Sequence, residues 1–530
     1  KVPVEFDPGR ITKDTVIFRL PRVVQGTYSV SNFGQFIDEL KAIGYDGTEL
    51  SVVKKDTNSW VIANASALDK ISYFVNDTYD IEGGEVATPF SPSGTNIQPE
   101  AFVLNLHGFV GYFDHKPFSY EVSVTAPVDM KNTSALPKVR SVVSEDGSKE
   151  TITYLANRYF DVTDNPMFYG DLDIEEFQVG DIKIVLSVYS PNGVHKADQI
   201  KNTVLKMMEA QKAYLGDINS TKRYDVILYL SAMGPGEPRG FGALEHHTST
   251  VVVLPEPSPV PQLDESMIDV VSHEFFHIIT PLTVHSEDVH YFDYDQPTFS
   301  KHLWMYEGIT EYFASHFQIT EGLVSEEEFY TKMVGKIQTA AGLDDEMSFT
   351  KMSENILEEP YASNYFNVYM KGALIGMCLD ILLREESNGE RSMLSLMKQL
   401  SQKYGQDKPF DDDSIIKEIV DLTYPSVGEF LATHVEGNTP IDYNDFLKKV
   451  GLELKEGKVP TNYVLNGQSL ILKADRENNG IRFNDLVLDN SFWAENGVQP
   501  DDLVKTWNDV ELSLANANTV IQQSLQWEPG

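Results

Sequence analysis

Two histidines that lie four residues apart, with a glutamate beside the first, could hold a metal ion. His273, Glu274 and His277 occur in the stretch VVSHEFFHIITP at residues 270–281. Side chains four residues apart on a helix lie one turn above each other, so both imidazoles would point the same way and could ligate one zinc ion. Glu274 would lie beside the metal as a base rather than a ligand. The same pattern arises by chance in roughly one such chain in fifty, so a third ligand has to distinguish a metal site from ordinary polar residues.

The spacing to that third ligand separates the classes of zinc hydrolase. A metzincin would need glycine at position 280 and histidine at position 283, where the chain has Thr280 and Thr283. The common gluzincin spacing would place a glutamate at position 296, where the chain has Gln296. Glu307 follows in HLWMYEGITEYF, with 29 residues between it and His277. Glu307 is therefore the candidate carboxylate ligand.

Burial is the physical reason for preferring Glu307. The segment around it is strongly amphipathic, and its apolar residues are Trp304, Ile309, Tyr312 and Phe313. A carboxylate in a buried helix requires a strong partner, which a zinc ion would supply. Glu311, one turn further, could accept the second ring N–H of a ligand histidine, or it could face solvent. The intervening loop offers three alternative ligands, His285, His290 and His302.

Three regions of different character would have to position these residues, which predicts a multidomain α+β protein. Residues 1–185 read as strands separated by turns, so we expect an antiparallel, sandwich-like β domain without a residue to nominate for chemistry. Strands followed by helices predict a mostly helical α+β domain over residues 186–453. In it, Asp264 or Ser266 would cap the helix that carries His273, and Pro281 would end it. Short strand-like pieces predict a third, smaller unit over residues 454–530.

Four motifs together resemble the gluzincin aminopeptidases. HEFFH followed by LWMYEGITEYF is similar to their zinc-binding helices, and GFGALEHHTST at residues 240–250 is similar to their exopeptidase strand. YMKGALIG is similar to their Y-x-K-G-A segment. The long loop before Glu307, the Leu-Glu-His form of the strand and YSVSNFGQFIDEL near the N-terminus narrow the resemblance to the glycyl aminopeptidase family. Members of this family combine a β domain, a thermolysin-like domain and a PDZ domain.

The resemblance implies a set of catalytic roles around one Zn²⁺ per chain. His273, His277 and Glu307 would bind the zinc, and Glu274 would be the general base and proton shuttle. Glu311 would accept from a ligand histidine. Tyr369 would hydrogen-bond the oxyanion, with Tyr365 as the nearby competitor.

The resemblance also implies how the substrate is held. Glu245 would bind the free α-amino group of a peptide, and so select chain ends over internal bonds. Gly242 and Ala243 would let the edge strand approach the peptide backbone. His246 occupies the position of an asparagine in related aminopeptidases, so its role does not transfer directly.

The tail AENGVQPDDLVKTWNDVEL resembles the core of a PDZ domain. Asp501 and Asp509 stand where glycines are usual, and the sequence ends at WEPG, before the closing strand. We therefore expect a truncated or degenerate PDZ-like unit, in which peptide capture by strand addition is in doubt.

Charge and composition exclude several classes of partner. The formal net charge of −38 argues against binding to nucleic acid or to anionic lipid, both of which require basic residues. No apolar run is long enough to cross a bilayer, so we expect a soluble protein without membrane insertion. The single cysteine, Cys378, excludes an intramolecular disulfide. These features fit a bacterial periplasm or exterior, and also the cytosol.

The sequence thus predicts a zinc aminopeptidase that removes N-terminal residues from peptides. The family resemblance implies a preference for glycine and alanine at that position. Two alternatives stay open, a zinc endopeptidase and a non-catalytic scaffold that binds peptides through its PDZ-like unit. The oligomeric state is not predicted.

Overall fold

The computed structural model describes residues 1–113, 118–216, 218, 221–405, 407–455, 463–466, 469–475, 478–514 and 516–524. The chain divides into two compact units, Lys1–Lys449 and Val450–Gly530. Within the described residues, no helix combines the length and the apolar character that a membrane span needs.

The first part of the larger unit is an antiparallel β region. Its strands pair in four sheets, with the orders β1-β7-β3-β4, β10-β2-β6-β5, β11-β14-β13 and β12-β15-β9-β8. The strands are β1 (Val2–Phe6), β2 (Thr15–Arg19), β3 (Ile37–Gly44), β4 (Glu49–Leu50), β5 (Val52–Lys54), β6 (Ser59–Ala63), β7 (Leu68–Val75), β8 (Asn96–Gln98), β9 (Ala101–Leu104), β10 (Tyr112–Phe113), β11 (Tyr120–Pro127), β12 (Lys131–Ser134), β13 (Lys138–Val143), β14 (Lys149–Ala156) and β15 (Met167–Gly170). A short helix, α1 (Tyr159–Thr163), precedes β15. The predicted N-terminal antiparallel β region is confirmed.

A mixed five-stranded sheet follows, in the order β16-β17-β18-β20-β19. Its strands are β16 (Asp173–Val179), β17 (Ile182–Tyr189), β18 (Arg223–Ser231), β19 (Gly242–Glu245) and β20 (Ser249–Pro255), and helix α2 (Ala197–Leu215) connects β17 to β18. Strands β17, β18 and β20 are parallel and buried, as expected for a sheet covered on its faces. Strand β19 runs antiparallel to β20 at the edge, with Glu245 opposite Thr250. The predicted boundary at residue 185 falls inside β17, and the domain limits stay predictions.

Helices make up most of the larger unit after β20. They are α3 (Val260–Phe276), α4 (Glu287–His290), α5 (Thr310–Thr320), α6 (Glu326–Ala341), α7 (Phe349–Glu354), α8 (Asn367–Glu386), α9 (Met393–Lys403), α10 (Ile415–Leu422), α11 (Pro425–Phe430) and α12 (Tyr443–Leu447). Two π-helical segments, Trp304–Ile309 and Leu431–Glu436, directly precede α5 and follow α11. Short 3₁₀ turns are Phe33–Phe36, Ala65–Ala67, Ser91–Ser93, Leu106–Gly108, Ala362–Asn364 and Lys448–Val450.

Helix α3, which carries the histidine motif, begins earlier than its sequence suggests. It starts at Val260, so neither Asp264 nor Ser266 caps it. Pro259 at the N-cap and Pro261 in the first turn explain this start. A backbone N–H has no partner within the helix at these positions, and the fixed φ of proline suits a helix start. Asp264 instead accepts a hydrogen bond from the Thr203 hydroxyl on α2, at 2.9 Å. The helix ends at Phe276, and His277 is its C-cap.

The smaller unit has its own hydrophobic core, which includes Val464, Ile481, Phe483 and Trp507. Its elements are β21 (Leu465–Asn466), β22 (Ser469–Leu470), β23 (Leu472–Asp475), β24 (Gly480–Phe483), the 3₁₀ turn Asp485–Asp489, α13 (Ser491–Glu495), β25 (Leu503–Val504), β26 (Thr506–Trp507), β27 (Val510–Glu511) and α14 (Ala517–Ser524). The expected absence of a closing strand concerns the terminal WEPG, which lies outside the described residues.

Candidate active site

Three buried side chains that the sequence nominates as metal ligands come together in the larger unit. His273, His277 and Glu307 each offer a ligand atom, and these atoms all lie within 4.8 Å of one another. The Oε2 atom of Glu307 is 3.3 Å from Nε2 of His273 and 3.6 Å from Nε2 of His277. Two imidazole nitrogens and one carboxylate form the donor set of a catalytic zinc site with three protein ligands.

Hydrogen bonds at the other ring nitrogens orient both histidines. Nδ1 of His273 lies 2.7 Å from Oε2 of Glu311, and Nδ1 of His277 lies 3.0 Å from the carbonyl oxygen of Thr280. Since both partners are acceptors, each Nδ1 carries the proton and each Nε2 keeps a lone pair for a metal. The donor set and the tautomers therefore fit a zinc ion.

Lys336, on helix α6, fixes the carboxylate of Glu311 from the side opposite His273. Its Nζ donates to Oε1 of Glu311 at 2.5 Å, and the lysine is itself buried. Burial favours the neutral acid, but Lys336 and His273 outweigh it and lower the pKa of Glu311 to about 2. Glu311 thus contacts both His273 and Lys336 instead of facing solvent alone. The sequence alone did not identify Lys336.

A π-helical turn and a pair of glycines place Glu307. Trp304–Ile309 is π-helical, a form that is often found at functional sites. A Cβ atom on Gly308 would lie 2.6 Å from backbone atoms of Gly372 on α8. Only glycines allow this approach, which packs the turn that carries Glu307 against the helix that carries Tyr369.

Glu274 and Glu245 lie beside the metal ligands. Ligand atoms of Glu245, Glu274 and His277 also lie within 4.8 Å of one another. In the described part of the chain, Oε2 of Glu274 is buried and has no hydrogen-bond partner. Burial raises the pKa of Glu274 to about 8, with contributions from Glu307 and Glu311 and an opposing one from His273. Burial and the charges of Glu307 and Glu274 likewise raise the pKa of Glu245.

Two tyrosines on and before helix α8 lie against the cluster. The hydroxyls of Tyr365 and Tyr369 are 2.6 Å apart, so one donates to the other. The Tyr369 ring lies 5.7 Å from the His273 ring, measured between centroids. Burial raises the pKa of both tyrosines, which keeps their hydroxyls protonated. Both predicted candidates are thus near the site.

The edge strand presents Gly242, Ala243 and Glu245 as its sequence suggests, although Gly242 also has a packing role. The backbone φ of Gly242 is 149°, and a Cβ atom there would lie 2.9 Å from the ring of Phe90. Glycine at this position therefore accommodates an aromatic ring of the β region.

The β region contributes to the site, although its sequence nominates no residue for chemistry. The hydroxyl of Tyr28 donates to Oε1 of Glu307 at 2.9 Å. A Cβ atom on Gly26 would lie 2.5 Å from Oε2 of Glu245. Both residues also line a cavity next to Glu245, together with His246 and His285. Tyr28 opens the stretch YSVSNFGQFIDEL that supports the family resemblance, but the sequence gives neither Tyr28 nor Gly26 a chemical role. Tyr28 and Glu307 are 279 residues apart, so only the fold shows their contact.

The alternative histidine ligands lie elsewhere in this cavity wall or in the core. Nε2 of His285 is 3.0 Å from Nδ1 of His290, and Nε2 of His302 is 2.8 Å from the carbonyl oxygen of Asp412. Among the described residues, neither of the clusters that could hold a metal includes these histidines.

Two sequence models of one peptidase family match the chain. The Peptidase M61 N-terminal domain matches residues 1–171, and the M61 glycyl aminopeptidase model matches residues 266–375. Together these matches cover more than half of the chain. No curated protein matches it in sequence.

Solved structures of an aminopeptidase N family protein and of M1 zinc metallopeptidases share the fold. An aminopeptidase N family protein from Idiomarina loihiensis superposes with a TM-score of 0.74 at 20% identity, over 100% of this chain and 89% of the other. The M1 zinc metallopeptidase from Deinococcus radiodurans gives a TM-score of 0.52 at 13% identity, over 81% and 87%. A mutant of that enzyme bound to a Tyr-ser-ala substrate gives 0.50 at 13% identity, over 80% and 87%.

Proposed function

The chain belongs to the M61 glycyl aminopeptidase family and is a zinc metallopeptidase, and on that premise we propose that it removes single residues from the free N-terminus of peptides. His273, His277 and Glu307 would hold one zinc ion. When bound, zinc supplies a Lewis acid that lowers the pKa of water and polarises a carbonyl. The likeness of the fold to a peptidase solved with a peptide supports a peptide substrate.

Glu274 would move the proton in this reaction. Its unpartnered Oε2 is available to take a proton from the attacking water and to return it to the leaving amine. Tyr369 would donate a hydrogen bond from its hydroxyl to the oxyanion that forms at the carbonyl, while Tyr365 would hold the Tyr369 hydroxyl in place.

The position of Glu245 supports the proposal that the enzyme acts only at the free N-terminus of a peptide. Its carboxylate lies within 4.8 Å of Glu274 and of the ligand His277. In an amino acid, the amino nitrogen and the carbonyl carbon are only about 2.5 Å apart. An ammonium group held by Glu245 would therefore bring the first peptide bond, and no later bond, to Glu274. The match to the glycyl aminopeptidase model supports a preference for a small N-terminal residue such as glycine or alanine.

A PDZ-like character of residues 454–530 forms part of the proposal. Asp501 and Asp509 stand where PDZ domains carry glycine, and their φ angles are 70° and 64°. This left-handed region is the one that favours glycine, so the backbone supports the resemblance where the side chains depart from it. For the location, we propose a bacterial periplasm or exterior.

One experiment tests the proposed activity against both alternatives. Matched amino-acyl fluorogenic substrates, free and N-acetylated, are assayed with the wild type, Glu274→Gln and Glu245→Gln, and zinc content is measured for each. We expect the wild type to cleave free substrates only. Glu274→Gln should lose about 10²–10⁴-fold in kcat while zinc stays bound. Glu245→Gln should raise KM for free amines, because it loses a charged contact to the ammonium.

The control is Glu265→Gln, which changes an exposed glutamate on the same helix and should leave all values unchanged. Equal cleavage of acetylated and free substrates by the wild type would indicate an endopeptidase. Absence of both zinc and cleavage would indicate a non-catalytic scaffold.

A further inference from the structure

A short segment of the β region, residues 24–28, contacts two carboxylates of the candidate site, those of Glu307 and Glu245. Tyr28 donates to the metal-ligand candidate Glu307, and Gly26 packs against the amino-anchor candidate Glu245. This segment, which we call the positioning segment, lies between strands β2 and β3, far from the helices that carry the zinc motif.

Tyr28 determines which oxygen of Glu307 faces the histidines. Its hydroxyl binds Oε1 at 2.9 Å, while Oε2 lies 3.3 Å and 3.6 Å from the two imidazole nitrogens. The two carboxylate oxygens therefore have separate tasks. The Tyr28 ring also lies 5.8 Å from the ring of Tyr365 and 6.2 Å from that of Phe299, measured between centroids, which fixes its direction.

The backbone of Tyr28 is strained. Its φ is 45°, in the left-handed region that a bulky residue rarely adopts. Such strain persists only where the surroundings fix the conformation, and it is concentrated at functional sites. Here the side chain of Gln25 donates to the carbonyl of Val289 at 2.6 Å, and the hydroxyl of Thr27 donates to the carbonyl of Val24 at 2.9 Å. The segment is thus held to helix α4 as well as to itself.

Gly26 leaves no room for a side chain beside Glu245. Its φ is 79°, and a Cβ atom would lie 2.5 Å, 2.6 Å and 2.8 Å from the three carboxylate atoms of Glu245. Any side chain would displace that carboxylate or the segment. The glycine backbone therefore limits where Glu245 can lie.

We infer that the positioning segment sets the geometry of both carboxylates: Tyr28 orients Glu307 toward the metal, and Gly26 holds Glu245 at the end of the substrate site. Tyr28 and Gly26 are positioning residues, since each acts through a glutamate. The Glu245 half of the inference rests on the proposed function, whereas the Glu307 half requires only that the chain binds zinc.

The first test measures zinc affinity in Tyr28→Phe by competition with a chromophoric chelator. Loss of a hydrogen bond to a metal ligand typically weakens metal affinity about 10–100-fold, and we expect a Kd increase in that range. The control is Tyr73→Phe, which removes a buried hydroxyl bonded to the carbonyl of Phe109 in the same β region. It should lower thermal stability without changing the Kd. Equal Kd values for Tyr28→Phe, Tyr73→Phe and the wild type would overturn the role of Tyr28.

The second test compares Gly26→Ala with Gly47→Ala. Both glycines have φ near 80°, but a Cβ atom on Gly47 meets nothing within 4 Å. We expect Gly26→Ala to raise KM for free-amine substrates about tenfold at unchanged zinc affinity, as loss of one charged contact would do. Gly47→Ala should keep the wild-type KM. Equal KM values for the two variants would overturn the role of Gly26.

These results separate the inference from the proposed function. Wild-type protein that cleaves no free-amine peptide contradicts the proposed function, and the zinc competition still decides the role of Tyr28. Wild-type protein that does cleave such peptides, with both variants behaving like their controls, contradicts the inference and leaves the activity intact.

Discussion

Four glutamates close to one another have pKa values shifted in opposite directions because their partners differ. Glu311 pairs with Lys336, and that contact lowers its pKa. Glu307 faces two histidines and Tyr28, and their influence lowers its pKa against the effect of burial. Burial and the neighbouring carboxylates raise the pKa values of Glu245 and Glu274, although His273 opposes the shift of both. The two glutamates with raised pKa values are those to which we assign an ammonium ion and a transferred proton.

The tyrosine pair gives a prediction at the residue scale. Tyr369→Phe should lower kcat about 10²–10³-fold with little change in KM, because an oxyanion donor acts in the transition state. Tyr365→Phe should lower kcat by a smaller factor, since it only removes the 2.6 Å hydrogen bond that orients Tyr369. Steady-state kinetics on a free-amine substrate measure both variants. A larger loss of kcat in Tyr365→Phe would assign the oxyanion contact to Tyr365 instead.

At the scale of elements, the sequence predicts the helices better than the contacts between distant elements. The four-residue spacing of His273 and His277 and the amphipathic segment around Glu307 place three side chains that the structure brings together. Periodicity describes only one element at a time. It could not reveal that Tyr28, from a loop in the β region, contacts Glu307. Nor could it locate the start of α3, where two prolines outweigh the capping residues that follow.

The π-helical turn was also beyond prediction from composition. Its residues, WMYEGI, are compatible with an ordinary helix. The close approach of Gly308 to Gly372 is a tertiary contact that joins this turn to α8. This contact explains in physical terms why Gly308 follows Glu307 in LWMYEGITEYF and why Gly372 follows Lys371 in YMKGALIG.

Gly308→Ala tests this helix contact. The added Cβ atom would lie 2.6 Å from the backbone of Gly372, so the turn that carries Glu307 must move. Overpacking of this kind costs about 1–3 kcal/mol, and we expect a lower Tm together with weaker zinc binding. Calorimetry and chelator competition measure the two effects.

Gly335→Ala, in helix α6, is the matched control for that variant. A Cβ atom there meets nothing within 4 Å, so the higher helix propensity of alanine should keep or raise the Tm. Unchanged Tm and zinc affinity in Gly308→Ala would mean that the contact between the two helices is looser than the structure indicates.

On the scale of the whole molecule, a buried ion pair joins the β region to the mixed sheet. Oδ1 of Asp164, which follows α1, is 3.2 Å from Nδ1 of His247 and accepts from the His247 backbone N–H at 3.0 Å. Burial opposes both charges. Nevertheless, His247 and His246 hold the pKa of Asp164 far below its usual range, and Asp164 raises the pKa of His247. The pair lies in the wall of the cavity next to Glu245.

Asp164→Asn should therefore destabilise the larger unit in a pH-dependent way. Because the pKa of Asp164 is lowered, its ionised form stabilises the fold above about pH 4, and this stabilisation is lost as the pH falls. Because the pKa of His247 is raised, its protonated form stabilises the fold below about pH 6.5, and this stabilisation is lost as the pH rises. The Tm difference from wild type should be largest between those limits, about 3–6 °C for a buried pair worth about 3 kcal/mol. Calorimetry at about pH 5.5 and about pH 8.5 measures this difference in Tm. The control is Glu5→Gln, which removes the exposed ion pair with Lys70 and should change the Tm little at either pH. An equal Tm loss at both pH values would show that Asp164 acts as a neutral hydrogen-bond acceptor, and that no charged pair joins the two regions.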